Sequence, residues 1–189
     1  MRKSFVILAS AIFVVALSGC GRNQTTVVDS GYVSGNGATQ LIAPKDRTNP
    51  INLVGKTLTG TKLDIADWRG SIVVVNLWAS WCGPCRAEAT SLAIVYKQFL
   101  PEGVKFLGLN TRDGLSSALA FSKRFDTGYP SIQDSDGLLT LAFGNLGPAA
   151  TPSTLFLDKQ GRVAARILGG VTEAELRAVL RAVIEGSEK

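Results

Sequence analysis

A continuous apolar run followed at once by two cysteines constrains the fold of this chain more than any other feature. Residues 71–77 read SIVVVNL, and the stretch WASWCGPCRAEAT follows directly. An apolar, β-branched run without polar alternation is typical of a strand buried on both faces of a parallel sheet. A helix is predicted over about residues 83–100, so Cys82 and Cys85 lie where a buried strand gives way to a helix.

Strand and helix patterns alternate over the rest of the chain from residue 51. The segment 51–68 resembles a β-hairpin with Gly60 in its turn, and a capping box from Thr172 to Glu175 predicts a final helix. Between them the sequence predicts a strand in VKFLGLNT, a helix in SSALAFSKRFD and strands in YPSIQD, STLFLD and RVAARIL. This alternation predicts one α/β domain without internal repeats.

The N-terminus reads MRKSFVILASAIFVVALSGCGRNQ, which is a secretory signal pattern. As a helix its apolar part would span about 22 Å, short of the ~30 Å hydrocarbon core, so a cleaved signal is favoured over a spanning helix. Residues 17–20 also resemble a bacterial lipobox, in which Cys20 is lipidated and becomes the first residue. The alternative is a free cysteine in a discarded signal peptide. Lipidation would place the mature domain on the outer face of a bacterial membrane.

Three regions are predicted along the chain. Residues 1–19 form the lipoprotein signal peptide, residues 20–50 the lipidated cysteine and a flexible tether, and residues 51–189 the folded α/β domain. The tether is rich in Gly, Ser, Thr and Asn and has little apolar periodicity, and it would reach about 30 Å on average. A short strand within it is the alternative.

The chain contains no histidine, which excludes Ser/His/Asp and Cys/His catalysis and every histidine-containing metal site. Once Cys20 is set aside, two cysteines remain, and a zinc site would need ligands from a second chain. We therefore predict no metal ion and no other cofactor. The formal charge of +5 comes from Lys and Arg scattered among acids, which indicates a solvated surface and no nucleic-acid partner.

Three kinds of chemistry are open to Cys82 and Cys85: a structural crosslink, half of a shared metal site, and thiol–disulfide exchange. A crosslink across so short a loop would restrict the unfolded chain little, and exchange is favoured. Cys82 opens the predicted helix, where backbone N–H groups and the helix dipole stabilise a thiolate and lower its pKa. We predict that Cys82 is the exposed attacking sulfur and that Cys85, buried one turn later, is the resolving thiol.

Helical spacing places Glu88 beside Cys85. The apolar stripe of this helix, read backward, reaches Glu88 and then Cys85; it consists of Leu92, Val95, Tyr96 and Phe99. Burial on that face would raise the pKa of the Glu88 carboxyl towards neutrality and let it take the proton of Cys85. The alternative is a Glu88 side chain that faces solvent or simply favours the helix N-terminus.

The stretch VVNLWASWCGPCRAE and the leader resemble the thioredoxin superfamily and, within it, the membrane-tethered TlpA/ResA branch. The resemblance covers roughly residues 51–185. It implies a thioredoxin-like α/β fold with a central mixed β-sheet flanked by helices and an N-terminal β-hairpin. Thioredoxin has a buried Asp six residues before its first cysteine, where this chain has Asn76, whereas the tethered branch typically has an acid at the place of Glu88. Gly83 and Pro84 between the cysteines are thioredoxin's own dipeptide and support the site.

The resemblance also implies a substrate-binding surface. The family places a cis-proline opposite the cysteines, preceded by a residue whose backbone pairs with the substrate, and Thr151 and Pro152 in AATPSTLFLD match this pair. Trp81 is predicted to form an apolar lip for the substrate, with core packing as the alternative. Arg112 follows a predicted strand end, where α/β folds often place sites, but a loop residue without a role is favoured.

The resemblance implies a tethered thiol–disulfide oxidoreductase that reduces disulfides in exported proteins. It points to apocytochrome c as the best single client and to a membrane thiol reductase as the electron donor. The alternatives are an oxidant of exported thiols and a non-catalytic chaperone that holds clients in the groove of Trp81 and Pro152. A peroxidase of the related peroxiredoxin type is excluded, because Ala79 stands where its Pro-x-x-x-Thr/Ser-x-x-Cys loop needs a hydroxyl.

Overall fold

The computed structural model describes residues 32–34, 38–148 and 150–187. The predicted signal peptide and the lipidation of Cys20 therefore lie outside the described residues. Within the described part of the chain, no helix is long and apolar enough to cross a membrane.

A seven-stranded mixed sheet forms the centre of the domain, and a separate two-stranded hairpin accompanies it. The strands are β1 (Tyr32–Ser34), β2 (Ala38–Leu41), β3 (Val54–Lys56), β4 (Lys62–Asp64), β5 (Val73–Trp78), β6 (Lys105–Thr111), β7 (Ser131–Asp134), β8 (Ser153–Leu157) and β9 (Val163–Leu168). The order in the large sheet is β1-β2-β9-β8-β5-β6-β7, and β3 pairs with β4. Strands β5, β6 and β7 are parallel, whereas β8 runs antiparallel to both β5 and β9. The predicted mixed sheet and hairpin are confirmed.

Three α-helices cover the sheet: α1 (Gly83–Phe99), α2 (Leu115–Phe125) and α3 (Glu173–Glu185). All six residues of β5 are buried, as the apolar run predicts. Val74 packs with the apolar faces of α1 and α3 on one face of the sheet. Val73 and Val75 pack on the opposite face, with residues of the segment that contains the β3–β4 hairpin. Because β5 is covered on both faces, the loop that follows it is held on a rigid support.

The predicted tether boundary at residue 50 is wrong, because β1 and β2 belong to the large sheet. Ala38 to Leu41 pair antiparallel with β9, and the Thr39 hydroxyl donates to Glu175 at 2.9 Å. These strands occupy the edge that β9 would otherwise leave unpaired. A four-residue strand is too short to produce a clear alternation in sequence, so the composition of this segment indicated a tether.

The capping box at the start of α3 is only half formed. The Thr172 hydroxyl accepts from the backbone N–H of Glu175 at 3.2 Å, as predicted. The Glu175 carboxylate, however, accepts from Thr39 on β2. In a full capping box the Glu175 carboxylate would accept from the backbone N–H of Thr172. The contact with Thr39 takes its place, and local sequence could not indicate a contact with so distant a strand.

Candidate active site

Cys82 and Cys85 lie at the N-terminus of α1 and form a disulfide, with their Cα atoms 5.3 Å apart. Cys82 is the N-cap residue, with extended backbone (φ −79°, ψ 115°). The backbone N–H of Cys85 donates to the Cys82 Sγ at 3.2 Å. Gly83 and Pro84 occupy the first turn of the helix, where a missing proline N–H costs nothing. Helix geometry thus gives Cys82 Sγ the favourable end of the helix dipole.

The predicted exposure of Cys82 is wrong for the oxidised protein. Only 3% of Cys82 and 1% of Cys85 are exposed. Both lie in an apolar cluster with Leu58 of the hairpin region, Trp78 of β5 and Phe121 of α2. These neighbours come from distant parts of the chain, so helix spacing alone could not indicate the cover over Cys82.

Glu88 lies on the buried face of α1, as the helical spacing predicts, and is 3% exposed. One carboxylate oxygen accepts from the side-chain amide of Asn76 at 2.9 Å, and the other accepts from the backbone N–H of Val171 at 2.9 Å. Burial raises the pKa of Glu88 to about 7, although both hydrogen bonds act to lower it. A carboxyl with this pKa can both accept and release a proton near neutral pH.

Asn76 connects Glu88 to the centre of the sheet. Its amide also donates to the Thr154 hydroxyl on β8 at 3.2 Å, and both residues are almost wholly buried. An amide donor suits this position, because a carboxylate here would face the Glu88 carboxylate and neither could ionise without cost. The polar chain from β8 through β5 to α1 therefore has a single ionisable member.

The Thr151–Pro152 peptide bond is cis, as the resemblance implies. Pro152 is buried, and its carbonyl accepts from the backbone N–H of Gly169 at 3.0 Å. Ser153, the next residue, pairs with Leu77 of β5. Because Leu77 closely precedes the cysteine loop, Pro152 and the cysteines lie at the same edge of the sheet.

Trp81 is 62% exposed, which excludes core packing. Its indole N–H donates to the backbone carbonyl of Arg112 at 3.0 Å. Trp81 and Thr151 both line an open pocket of about 300 Å³. A lip for the substrate remains the prediction for Trp81.

Asp113 is a site residue that the sequence analysis missed. Its carboxylate accepts from the backbone N–H of Ser80 at 2.6 Å, from the Ser80 hydroxyl at 2.8 Å and from the Asn110 amide at 3.0 Å. Burial acts to raise its pKa, but these hydrogen bonds together with one from Gly114 hold the pKa below its usual value. Asp113 thereby ties the loop before Cys82 to the end of β6. The signal in sequence was an acid just past the C-terminal end of a buried strand.

Comparison with known proteins agrees with this geometry. A model of the AhpC/TSA family matches residues 46–166. The thiol-disulfide oxidoreductase ResA of Geobacillus kaustophilus is 27% identical over 182 residues, which cover 96% of this chain and 98% of that protein.

Two solved structures extend the comparison. The DsbF homologue of Corynebacterium diphtheriae is 34% identical, with a TM-score of 0.70, over 76% of this chain and 92% of that chain. A secreted thiol-disulfide isomerase of Corynebacterium glutamicum is 29% identical, with a TM-score of 0.70, over 80% of this chain and 92% of that chain.

The comparisons and the cysteine pair agree on the chemistry. The Cys82–Cys85 disulfide opens α1 beside a buried carboxyl, and the relative matched over 98% of its length is a thiol-disulfide oxidoreductase by name. The protein is a thiol–disulfide oxidoreductase with a thioredoxin-like fold, and the chain belongs to the AhpC/TSA family.

Proposed function

We propose that the protein is a lipid-anchored, extracytoplasmic reductase of disulfides in exported proteins, with apocytochrome c as its best single client. The leader and the lipobox at residues 17–20 support export and anchoring. The similarity to a secreted thiol-disulfide isomerase supports a location outside the cytoplasm. The observation that carries the proposal is the buried Glu88, hydrogen-bonded to Asn76 and one helical turn from Cys85.

The reaction starts from the reduced dithiol. The Cys82 thiolate attacks one sulfur of the client disulfide, a Cys82–client mixed disulfide forms, and the other client sulfur leaves as a thiolate. The Cys85 thiolate then attacks Cys82 Sγ, which releases the second client thiolate and closes the Cys82–Cys85 disulfide. Two electrons have passed to the client, and both client thiolates take up protons.

Cys82 is the attacking residue because its sulfur accepts the Cys85 backbone N–H at the helix N-terminus. That hydrogen bond and the helix dipole favour the thiolate of Cys82 over its thiol. Cys85 lies inside the first turn of α1, where its sulfur is within bonding distance of Cys82 Sγ. Its sulfur is therefore suited to the second, intramolecular attack.

Glu88 acts as the base for Cys85. Residues three apart on a helix have Cβ atoms about 5–6 Å apart, and both side chains lie on the buried face of α1. With a pKa of about 7, the Glu88 carboxylate takes the Cys85 proton when the mixed disulfide must be resolved. The proton returns to solvent or to the next thiolate when the site is reduced again.

Each turnover consumes the dithiol, so a second protein must restore it. A membrane thiol reductase that presents its own dithiol on the same side of the membrane would reduce the Cys82–Cys85 disulfide by the same exchange steps in reverse. The lipid anchor holds the domain near such a partner. The electrons then flow from that reductase through Cys82 to the client.

The reduction potential of the Cys82–Cys85 pair tests the direction of the reaction. We expect a value near that of thioredoxin, about −270 mV, measured by equilibration with defined ratios of reduced and oxidised dithiothreitol. A value near −120 mV, where strong oxidants lie, would refute reduction and establish the oxidising alternative. A second assay completes the test. We expect the reduced protein to reduce a CxxCH disulfide peptide stoichiometrically, and Cys82→Ser to lose this activity.

A further inference from the structure

The described lining of the pocket beside the active site contains a cation and no acid. It has a volume of about 300 Å³, and its lining includes Arg112, Trp81 and Thr151. No Asp or Glu side chain is among the described lining residues. The described ion pairs and side-chain hydrogen bonds also give the Arg112 guanidinium no partner; they include those of Arg47, Arg162, Arg177 and Arg181 with acids of this chain.

The backbone of Arg112 is held in a conformation that arginine rarely adopts. Its φ is +49°, which costs energy for any residue with a Cβ atom. Two contacts fix it there: its N–H donates to the Asp134 carbonyl at 2.9 Å, and its carbonyl accepts the Trp81 indole N–H at 3.0 Å. Such a conformation persists only where the surrounding structure determines it, and one of the two contacts that fix Arg112 also orients Trp81.

Gly137 provides the space in which the Arg112 side chain lies. A Cβ atom at Gly137 would stand 2.8 Å from Arg112 Nε and 3.4 Å from its Cγ, and the φ of Gly137 is +78°. A Cβ atom at position 137 would therefore require the Arg112 side chain to shift. Arg112 thus has a fixed backbone, space for its side chain beside Gly137, and a guanidinium with no carboxylate partner among the described residues.

We infer that this pocket binds a carboxylate of the client polypeptide, an Asp or Glu side chain within a few residues of the client cysteine, through Arg112. The inference rests on the proposed function, because the ligand is part of a disulfide-containing client. A guanidinium presents a planar fork of donors that matches a carboxylate with two hydrogen bonds. Trp81 and Thr151 are the chain neighbours of Cys82 and Pro152, so an occupant of the pocket is adjacent to the disulfide that is exchanged.

The expected effect is a preference between clients rather than a change in chemistry. Arg112 is exposed, and a solvent-accessible ion pair at such a place changes affinity by about threefold to fivefold at low salt. The preference should shrink as salt is added, because screening weakens it. Added sodium chloride therefore provides a second signature of the same contact.

Binding can be tested without any exchange reaction. Two peptides are compared that carry Ser in place of Cys and differ only in an Asp or an Asn beside that Ser. Their Kd values for the oxidised full-length protein are measured from changes in Trp fluorescence. We expect the Asp peptide to bind about threefold to fivefold more tightly, Arg112→Gln to bring the ratio to about one, and Arg112→Glu to invert it. Lys123→Ala, which removes an exposed cation from α2, should keep the wild-type ratio.

Three outcomes would overturn the inference: equal Kd values for the two peptides with the wild-type protein, an unchanged ratio in Arg112→Gln, or the same loss of preference in Lys123→Ala. Circular dichroism and the intact disulfide establish that Arg112→Gln has folded, and Arg112→Glu gives a reversal that misfolding cannot produce. The proposed reductase function is measured separately with the disulfide forms of the peptides. An Asp preference in binding together with no reduction would refute that function and leave the carboxylate site established.

Discussion

Replacing Glu88 by Gln tests the central feature of the site, a buried carboxyl that titrates near neutrality. Gln keeps the shape of Glu88 and removes its charge. The side-chain oxygen of Gln can accept from either Asn76 or Val171. The Gln amide nitrogen then faces the other donor, from which it cannot accept a hydrogen bond. Compared with the ionised carboxylate, Glu88→Gln therefore loses one buried hydrogen bond, which costs about 1–3 kcal/mol.

The ionisation of Glu88 has a larger and pH-dependent effect on stability. Its pKa rises from 4.5 to about 7 in the folded protein, which at 1.36 kcal/mol per tenfold change in the ionisation constant corresponds to about 3 kcal/mol. Because the folded pKa is the higher one, the folded protein holds the proton more tightly than the unfolded chain. Glu88 therefore favours folding most at low pH, and this contribution is lost as pH rises from 4.5 through 7.

The measurement is the free energy of unfolding of the oxidised protein in urea at several pH values between 4.5 and 8. The disulfide removes both thiols from the titration, so Glu88 is the one ionisable side chain in the described chain of hydrogen bonds from Thr154 through Asn76. We expect wild-type stability to fall by about 3 kcal/mol more than that of Glu88→Gln over this range. Glu185→Gln, an exposed acid on α3, is the matched control and should follow the wild type. Parallel curves for wild type and Glu88→Gln would refute the buried, titrating carboxyl.

The same variant tests the proton transfer to and from Cys85. Resolution of the mixed disulfide requires a Cys85 thiolate, and Glu88→Gln cannot accept its proton. We expect the rate of that step to fall by at least about tenfold at pH 7 and to lose its dependence on a group that titrates near 7. An unchanged rate and pH profile in single-turnover exchange would make Glu88 a structural residue only.

Three further predictions follow from the site and the leader. Cys85→Ser should accumulate mixed disulfides with clients, detected on non-reducing gels, whereas Cys82→Ser should not; the opposite pattern would reverse the two roles. Asp113→Asn should lower the free energy of unfolding by about 1–2 kcal/mol, since it gives the Ser80 donors a poorer acceptor, and should slow exchange; wild-type values for both would show that the loop holds without this carboxylate. Cys20→Ala should release the protein from membranes or leave its signal uncleaved, and mass spectrometry that finds an unmodified mature N-terminus elsewhere would refute the anchor.

The parts of the structure that were predictable from sequence are those determined by the spacing of apolar residues within one strand or helix. The burial of β5 followed from its apolar run, and the burial of Glu88 followed from helical spacing back from the stripe of α1. Both patterns repeat within a few residues, so neighbours along the chain carry the information. The cis bond before Pro152 has no such local period and was implied by the family resemblance alone.

The parts that were missed depend on contacts between distant segments. Strand β2 is defined by pairing with β9, more than 120 residues later. Asp113 reaches Ser80 only because the parallel strands β5 and β6 end at the same edge of the sheet. The apolar cluster in which Cys82 is buried includes Phe121 on α2 and Leu58 of the hairpin region. None of these contacts leaves a periodic signal in the sequence.

The contact between Asn76 and Glu88 also restricts the order in which the two positions can evolve. A lineage that gains Asp at position 76 while Glu88 remains would place two carboxylates across the 2.9 Å contact that an amide now bridges, and one of them would be forced to keep its proton. A lineage that first loses the acid at position 88 can accept Asp at position 76 without that penalty. Substitutions at the two positions should therefore be correlated among homologues, and the intermediate with two acids should be rarer than the intermediate with none.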